Sequence, residues 1–569
     1  MDHVRDDQTR LAFNVRDFGA VGDGQTLATP AIQAAIDACH QQGGGTVFIP
    51  AGSYITGSIF LRSNITLYLD AGATLLGSQD PADFPIISSR WEGSEQPTHA
   101  PLIAGRDLKN IAVVGRGTID GRGAHWWRRF QERALDYPRP RLIAFADCSN
   151  VLIEGITATN SPSWTINPVR CDNVTIQKVT IVNPGDSPNT DGINPDSCNN
   201  VRISDCSISV GDDCITIKSG METEERGKLA PCRNITITNC TMANGHGGVV
   251  IGSEMSGDVR NVVISNCVFV GTDRGIRLKS RRGRGGVVED IRVSNIVMTD
   301  VLCPLTMNLY YACGAWGDTT VSDKRPHLVT DGTPRFRRIS LSHVTAREVK
   351  VAAAFLYGLA EMPVEDILLS DVSISMSPGA EAGYPDMADD LELMRRAGFF
   401  VRNARRLRLH NVEVSGQLGP ALTLAASTDI EISASTTCTP STDAPVVHMR
   451  NVAGAFVHGC RAYADTGVFL QVEGENTEGI VLSGNDLSRA RRPLQVAAEV
   501  RPDAVCGKEV FDDNILHNCR RRAGPQPGPR EPVPPDRFCA IGASRRHTSF
   551  RTDRGARGAA GGTRRALHR

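Results

Sequence analysis

Four short segments carry residues suited to acid–base chemistry, in a fixed order: N-T-D-G at 189–192, G-D-D-C at 211–214, G-H-G-G at 245–248 and R-L-K at 277–279. Together they supply three carboxylates (Asp191, Asp212, Asp213), one imidazole (His246) and two cations (Arg277, Lys279). Clustered carboxylates repel one another, so at least one keeps its proton near neutral pH. A protonated carboxyl that releases an oxygen, opposed by an ionised one, is what hydrolysis of a glycosidic bond requires. If a water must fit between the two, they stand ~6.5–9.5 Å apart. Taken singly, each segment is an ordinary turn or glycine-rich corner, so the case rests on whether one scaffold brings them into register.

That scaffold is legible as a repeat. An Asn or Asp precedes an alternation of apolar and polar residues at Asn150, Asn173, Asn200, Asn234, Asn261 and Asp290, at steps of 23, 27, 34, 27 and 29 residues. Weaker copies stand at Asn64, Asn110 and Asp366 and around Leu407, so the repeats span most of residues 50–500. A two-residue period marks half-buried strands. Units this short cannot bury their apolar face alone and must stack. The leading residues are Asn with Val and Ile rather than a leucine consensus, and the chain is only 5% aromatic. Those features disfavour a leucine-rich repeat and a β-propeller and predict an all-β fold, a single-stranded parallel β-helix. Asp212 follows Asn200 by 12 residues and His246 follows Asn234 by 12, which predicts vertical neighbours ~4.8 Å apart. Asp191 falls in the preceding coil, and Arg277 and Lys279 in the coil after His246. At the N-terminal end, Thr29 as N-cap, Pro30, and the stripe Ile32, Ala35, Ile36, Cys39 predict a helix that caps the solenoid.

The four segments, in this order, resemble the signatures of the polygalacturonases, family 28 of the glycoside hydrolases. The openings VRDFGAVGDGQT, GGGTVFIPAG and GTIDGRGAHWW resemble bacterial members. The resemblance implies a right-handed, pectin-lyase-like β-helix over residues 14–505, strongest over 14–415, with no metal and no cofactor. It implies inverting hydrolysis of α-1,4-galacturonosyl linkages in an anionic pectic polysaccharide or its oligomers. Asp212 matches the general acid, Asp191 and Asp213 the pair that activates water, and His246 the histidine supporting the acid's protonation. Arg277 and Lys279 match cations gripping a substrate carboxylate, Asn189 lies beside the water-binding pair, and Tyr310 and Tyr311 are both candidates for a contributing tyrosine. The segment GGVVIGSEMSGDVRNV resembles exo-acting members, and the 34-residue step around Glu222 to Lys228 is long enough for a loop that closes one end of a groove. The rivals are a rhamnogalacturonan hydrolase of the same family, a calcium-assisted polysaccharide lyase on the same fold and a non-enzymatic glycan-binding β-helix.

Charge is uneven. Residues 520–569 hold 13 arginines against three acids, +10, which leaves −11 for residues 1–519 of a chain whose net charge is −1. With six prolines between 523 and 536 and no periodicity, this segment reads as a disordered tail, and residues 1–13 as an N-terminal extension. The expected protein is a monomer with no nucleic-acid or membrane partner. No apolar run reaches the ~18–20 residues of a spanning helix, and the charged start lacks a secretory signal. The substrate that the resemblance implies is extracellular, while the sequence as written predicts retention in the compartment of synthesis. Of the 16 cysteines, those in strand-like runs (Cys206, Cys214, Cys240, Cys267) read as buried free thiols. Trp126, Trp127 and Trp164 read as core residues rather than sugar platforms.

Overall fold

The computed structural model describes residues 12–224 and 226–507. Their strands pair in parallel from coil to coil, apart from one antiparallel hairpin (Ile86–Trp91 with Ser94–His99), and wind into a right-handed parallel β-helix. A typical coil runs Asn199–Ser204, Ser207–Val210, Ile215–Ile217, and the next follows in register: Val201 on Ile235, Ile208 on Met242, Ile215 on Val249. Along each strand the inward residues are apolar and fully buried, as Val201 and Ile203 are, so coil stacking builds one continuous core.

The repeated Asn is explained by the turn it occupies. Asn64, Asn110, Asn150, Asn173, Asn200, Asn234 and Asn261 all have φ between 56° and 65°, a left-handed conformation that Asn tolerates better than most residues. Their amides form a ladder: Asn110 Nδ2 donates to Asn64 Oδ1 (2.9 Å), Asn150 to Asn110 (2.8 Å), Asn173 to Asn150 (2.7 Å) and Asn261 to Asn234 (3.1 Å). Five residues later a second left-handed position recurs at Lys178, Asp205, Asn239, Asn266 and Asn295, and turns the chain onto the next face. Cys206, Cys214, Cys240 and Cys267 are buried free thiols, as expected.

The capping helix forms over Thr29–Gln41 and buries Ile32, Ala35, Ile36 and Cys39 against the first coils. One detail differs. Ala28, not Thr29, is the N-cap, and it offers no side-chain bond. The Thr29 hydroxyl instead accepts from the Gly57 amide (2.8 Å) and meets Thr56 (3.1 Å), which ties the helix start to the neighbouring strand. The first strand, Ala12–Asn14, pairs with Gly45–Ile49, so the solenoid takes two residues assigned to the extension, and its last described strand is Val505–Gly507. The rest of the expected extension, residues 1–11, and the tail at 520–569 lie outside the described residues. No helix among the described residues is long and apolar enough to cross a membrane.

Four excursions interrupt the coils and matter for the site: the hairpin 86–99, segment 219–231, segment 309–334 and segment 377–396. Arg90 on the hairpin donates to Asp196 (2.8 Å) on the coil wall and also pairs with Glu224 of the second excursion, with the guanidinium and Asp196 almost completely buried. At the hairpin turn, Gly93 has φ +80°, and a Cβ there would lie within 3 Å of Met221, so the two excursions touch.

Candidate active site

The predicted register is present. Asp191 and Asp213 stand just before strand positions that follow one another up one face, where Ile193 bridges Ile215 and Ile215 pairs with Val249. The backbone locks the segments together: Gly192 N–H donates to Asp213 O (3.0 Å), Cys214 N–H to Gly247 O (2.8 Å) and His246 N–H to Asp212 O (3.1 Å). One coil later, Arg274–Lys279 buries Ile276 and Leu278 inward and turns Arg277 and Lys279 outward, the two-residue alternation at work.

One carboxylate oxygen from each of Asp191, Asp212 and Asp213 lies within 4.8 Å of the others. They meet because three acids from two adjoining coils share one stretch of the wall. Asp191 (3% exposed) and Asp213 (1%) are buried, and Asp212 is half-buried. Burial, then the charges of Asp212 and Asp213, push the Asp191 carboxyl up to about 8. Asp213 goes the other way: burial would raise it, but Lys279 and then Arg277 outweigh that and hold it well below the usual carboxylate range. The contacts are direct, Lys279 Nζ to Asp213 Oδ2 at 2.8 Å and Arg277 to Asp213 Oδ1 at 3.5 Å. His246 Nδ1 sits 3.2 Å from Asp212 Oδ1, and that hydrogen bond raises the imidazole's pKa against the effect of burial. The wall thus holds one carboxyl that keeps its proton beside one that is ionised.

These groups line a cavity of about 530 Å³, together with Asn189 and Tyr311. Arg139 Nη2 donates to Asn189 Oδ1 (2.6 Å). Of the two tyrosines, Tyr311 faces the site, with Lys279 and Arg277 5.3 and 5.5 Å from its ring centre. Tyr310 does not; it is buried against Tyr357, 4.5 Å between ring centres, because adjacent residues at a strand end point to opposite sides. Arg277 is 2% exposed, and its other nitrogen donates to Asp386 (2.7 Å), carried in by segment 377–396.

The structure adds residues that sequence reasoning missed. Lys218 pairs with Glu254 (2.9 Å), and Trp164, read as core, lines the cavity with Lys218 4.9 Å from its ring centre and Trp91 stacked behind it. Trp126 is core as expected, and Trp127, half-buried, donates to Ser161 O (2.9 Å). A signal for Lys218 existed: I-T-I-K at 215–218 repeats the outward places of I-R-L-K at 276–279. No comparable signal marks Glu92, Arg139 or Asp386, which arrive on excursions or from other coils. The carboxylate triad is compact enough to approach a divalent cation, but Lys279 already holds one oxygen of Asp213 and Arg277 stands 3.5 Å from the other, so a dication would meet two fixed cations. The donor set therefore fits proton transfer better than chelation.

Comparison with known proteins agrees with the architecture. Residues 39–383 match the model of glycosyl hydrolases family 28. A probable polygalacturonase of Vitis vinifera is 38% identical over 375 residues, 64% of this chain and 74% of the relative. An endo-polygalacturonase of Pectobacterium carotovorum subsp. carotovorum is 31% identical, over 52% of this chain and 77% of the relative. Among solved structures, a hyperthermoactive exopolygalacturonase from Thermotoga maritima superposes with a TM-score of 0.60 at 31% identity, over 71% of this chain and 91% of that one. With its motifs in register on the wall of a parallel β-helix and more than half of its length matched, the chain belongs to glycosyl hydrolases family 28, the family of the polygalacturonases.

Proposed function

We propose that the protein hydrolyses α-1,4-galacturonosyl linkages of pectic polygalacturonate or its oligomers, releasing short products from a chain end. The observation that carries this reading is the carboxylate triad on a cation-bearing cavity wall, one acid protonated to about pH 8 and another held ionised. Asp212, the most accessible of the three, donates to the leaving oxygen. Asp213, held ionised by Lys279 and Arg277, and Asp191 hold the attacking water. His246 orients Asp212. Lys279 and Arg277 keep Asp213 ionised, with Lys279, Tyr311 and Asn189 lining the space for the sugar.

End-wise cleavage is supported by the hairpin 86–99 and segment 219–231, which are pinned together by Arg90 and contribute Glu92 and Met221 to the same cavity. The exopolygalacturonase from Thermotoga maritima supports it too, whereas the endo-acting Pectobacterium relative leaves the mode to experiment. Inversion rests on the family resemblance.

A time course on polygalacturonate tests the reading. Monomer or dimer from the first minutes is expected, and a ladder of sizes refutes exo action. NMR of the fresh product gives the anomer. Asp212→Asn should lower turnover at least about 100-fold while the circular dichroism spectrum stays unchanged; near-normal turnover removes Asp212 from the acid's role. Ultraviolet-absorbing unsaturated products, or loss of activity with a chelator, would identify a lyase instead.

A further inference from the structure

The basic run that ends the R-L-K strand continues into Arg281 and Arg284, which line the catalytic cavity but touch none of the three carboxylates. Arg284 is almost wholly buried, donates to Glu222 Oε2 at 2.7 Å, reaches Ser253 only at 3.4 Å, and its Nε has no partner. Arg281 donates to Cys313 O (2.8 Å) and lies 3.7 Å from Glu222 Oε1. Burial, and next the charge of Arg284, pull Arg281 below its ordinary value, with Glu222 acting the other way. Their common partner, Glu222, sits exposed on segment 219–231 and reaches Arg284 from a second polar cavity of about 530 Å³ that shares Arg284 as a wall. Of the nearby acids, Glu254 feels the charge of Arg284 but gives its hydrogen bond to Lys218 (2.9 Å), and Glu92 is raised by burial and next by Glu254.

We propose that Arg281 and Arg284 form a subsite for a hexuronate carboxylate, and that the Glu222 carboxylate is its displaceable occupant in the free protein. The chemistry is an exchange of like for like. A uronate carboxylate has the charge and two-oxygen geometry of Glu222, and two guanidiniums fixed in a protein wall suit it well. Glu222 is the accessible member of the pair, its side chain 31% exposed against 4% for Arg284, so a sugar carboxylate can take its place without leaving the buried guanidinium unpaired, and its occupancy reduces apparent affinity by the fraction of time it is bound. The inference rests on the galacturonan reading of the same site and extends it by naming where one substrate charge is held.

Kinetics on a defined oligogalacturonide test it. Glu222→Gln keeps the shape and removes the charge, and should lower KM about two- to fivefold with kcat unchanged. Arg281→Gln should raise KM at least about tenfold, and in the double variant the gain from Glu222→Gln should vanish. Arg281 is the better target because the more deeply buried Arg284 risks the fold; thermal melting of each variant checks this. An equal or higher KM for Glu222→Gln, or a gain that survives in the double variant, overturns the proposal and leaves Glu222 as a tether of its segment. Calorimetric titration with free D-galacturonate and with D-galactose separates this from the functional reading. If the wild type cleaves no galacturonan, that reading fails, while tighter binding of the acid but not of the neutral sugar to Glu222→Gln still supports the carboxylate subsite, and equal binding of both refutes it.

Discussion

Asp191→Asn should abolish hydrolysis and at the same time stabilise the protein, in a pH-dependent way. The carboxyl is buried beside two other acids, and its folded-state pKa is raised from 3.8 to about 8. A group raised on folding leaves stability intact below its unfolded pKa and removes it as pH climbs towards the folded one. Between pH 4 and 8 the wild type therefore loses about 1.4 kcal/mol per pH unit from this residue, about 4 kcal/mol by pH 7. An asparagine carries no proton to lose, and its side-chain oxygen still accepts from Asn194 Nδ2 (3.0 Å) and faces the Thr216 hydroxyl (3.4 Å). For a folded body of ~500 residues the unfolding entropy is about 1 kcal/mol/K, so melting curves of the two proteins should coincide near pH 4 and separate by about 4 °C at pH 7. His246, whose raised pKa also costs stability as pH rises, owes its shift first to Asp212 and so drops out of the difference, while the depressed Asp213 contributes on the acid side, below this window. A gap that does not change with pH, or a variant that melts lower at pH 7, would show that Asp191 is not the strained carboxyl.

Two further outcomes follow from the same geometry. Lys279→Met removes the ammonium 2.8 Å from Asp213, so the Asp213 pKa rises and the acid limb of the kcat/KM profile should move up by about one pH unit or more, with a higher KM; an unmoved limb detaches Lys279 from Asp213. Asn234→Ala deletes donations to Asn199 (3.0 Å) and Asn200 (3.2 Å) and leaves a left-handed turn to alanine, so the melting temperature should fall by about 2–3 °C without a change in KM, and a change confined to activity would refute the ladder's structural role.

The solenoid was readable because its physics is local and repeated. Apolar alternation, a left-handed Asn at each coil start and near-constant steps each recur many times, so even the 12-residue offset that pairs Asp212 with His246 follows from counting. The cap was readable for the same reason, apart from Thr29, whose hydroxyl found a neighbouring strand to bind. Adjacent residues exposed the limit. Nothing local distinguishes Tyr310 from Tyr311, and the choice is made by which side of the strand end meets Tyr357 and which meets Lys279.

What the sequence by itself determined is the coil, its register and hence the column of Asp191, Asp212, Asp213, His246, Arg277 and Lys279, since a two-residue pleat and a stacked repeat convert spacing directly into position. What only the tertiary structure decided is the company those residues keep. Asp386 on Arg277, Glu254 on Lys218, Trp164 in the cavity wall and Glu222 on Arg284 come together through excursions whose paths depend on distant contacts such as Arg90 with Asp196 and Glu224. Charge and burial at a site sum over all neighbours within a few ångströms, wherever they stand in the chain, and so the protonation of Asp191 could be computed by no count along the sequence.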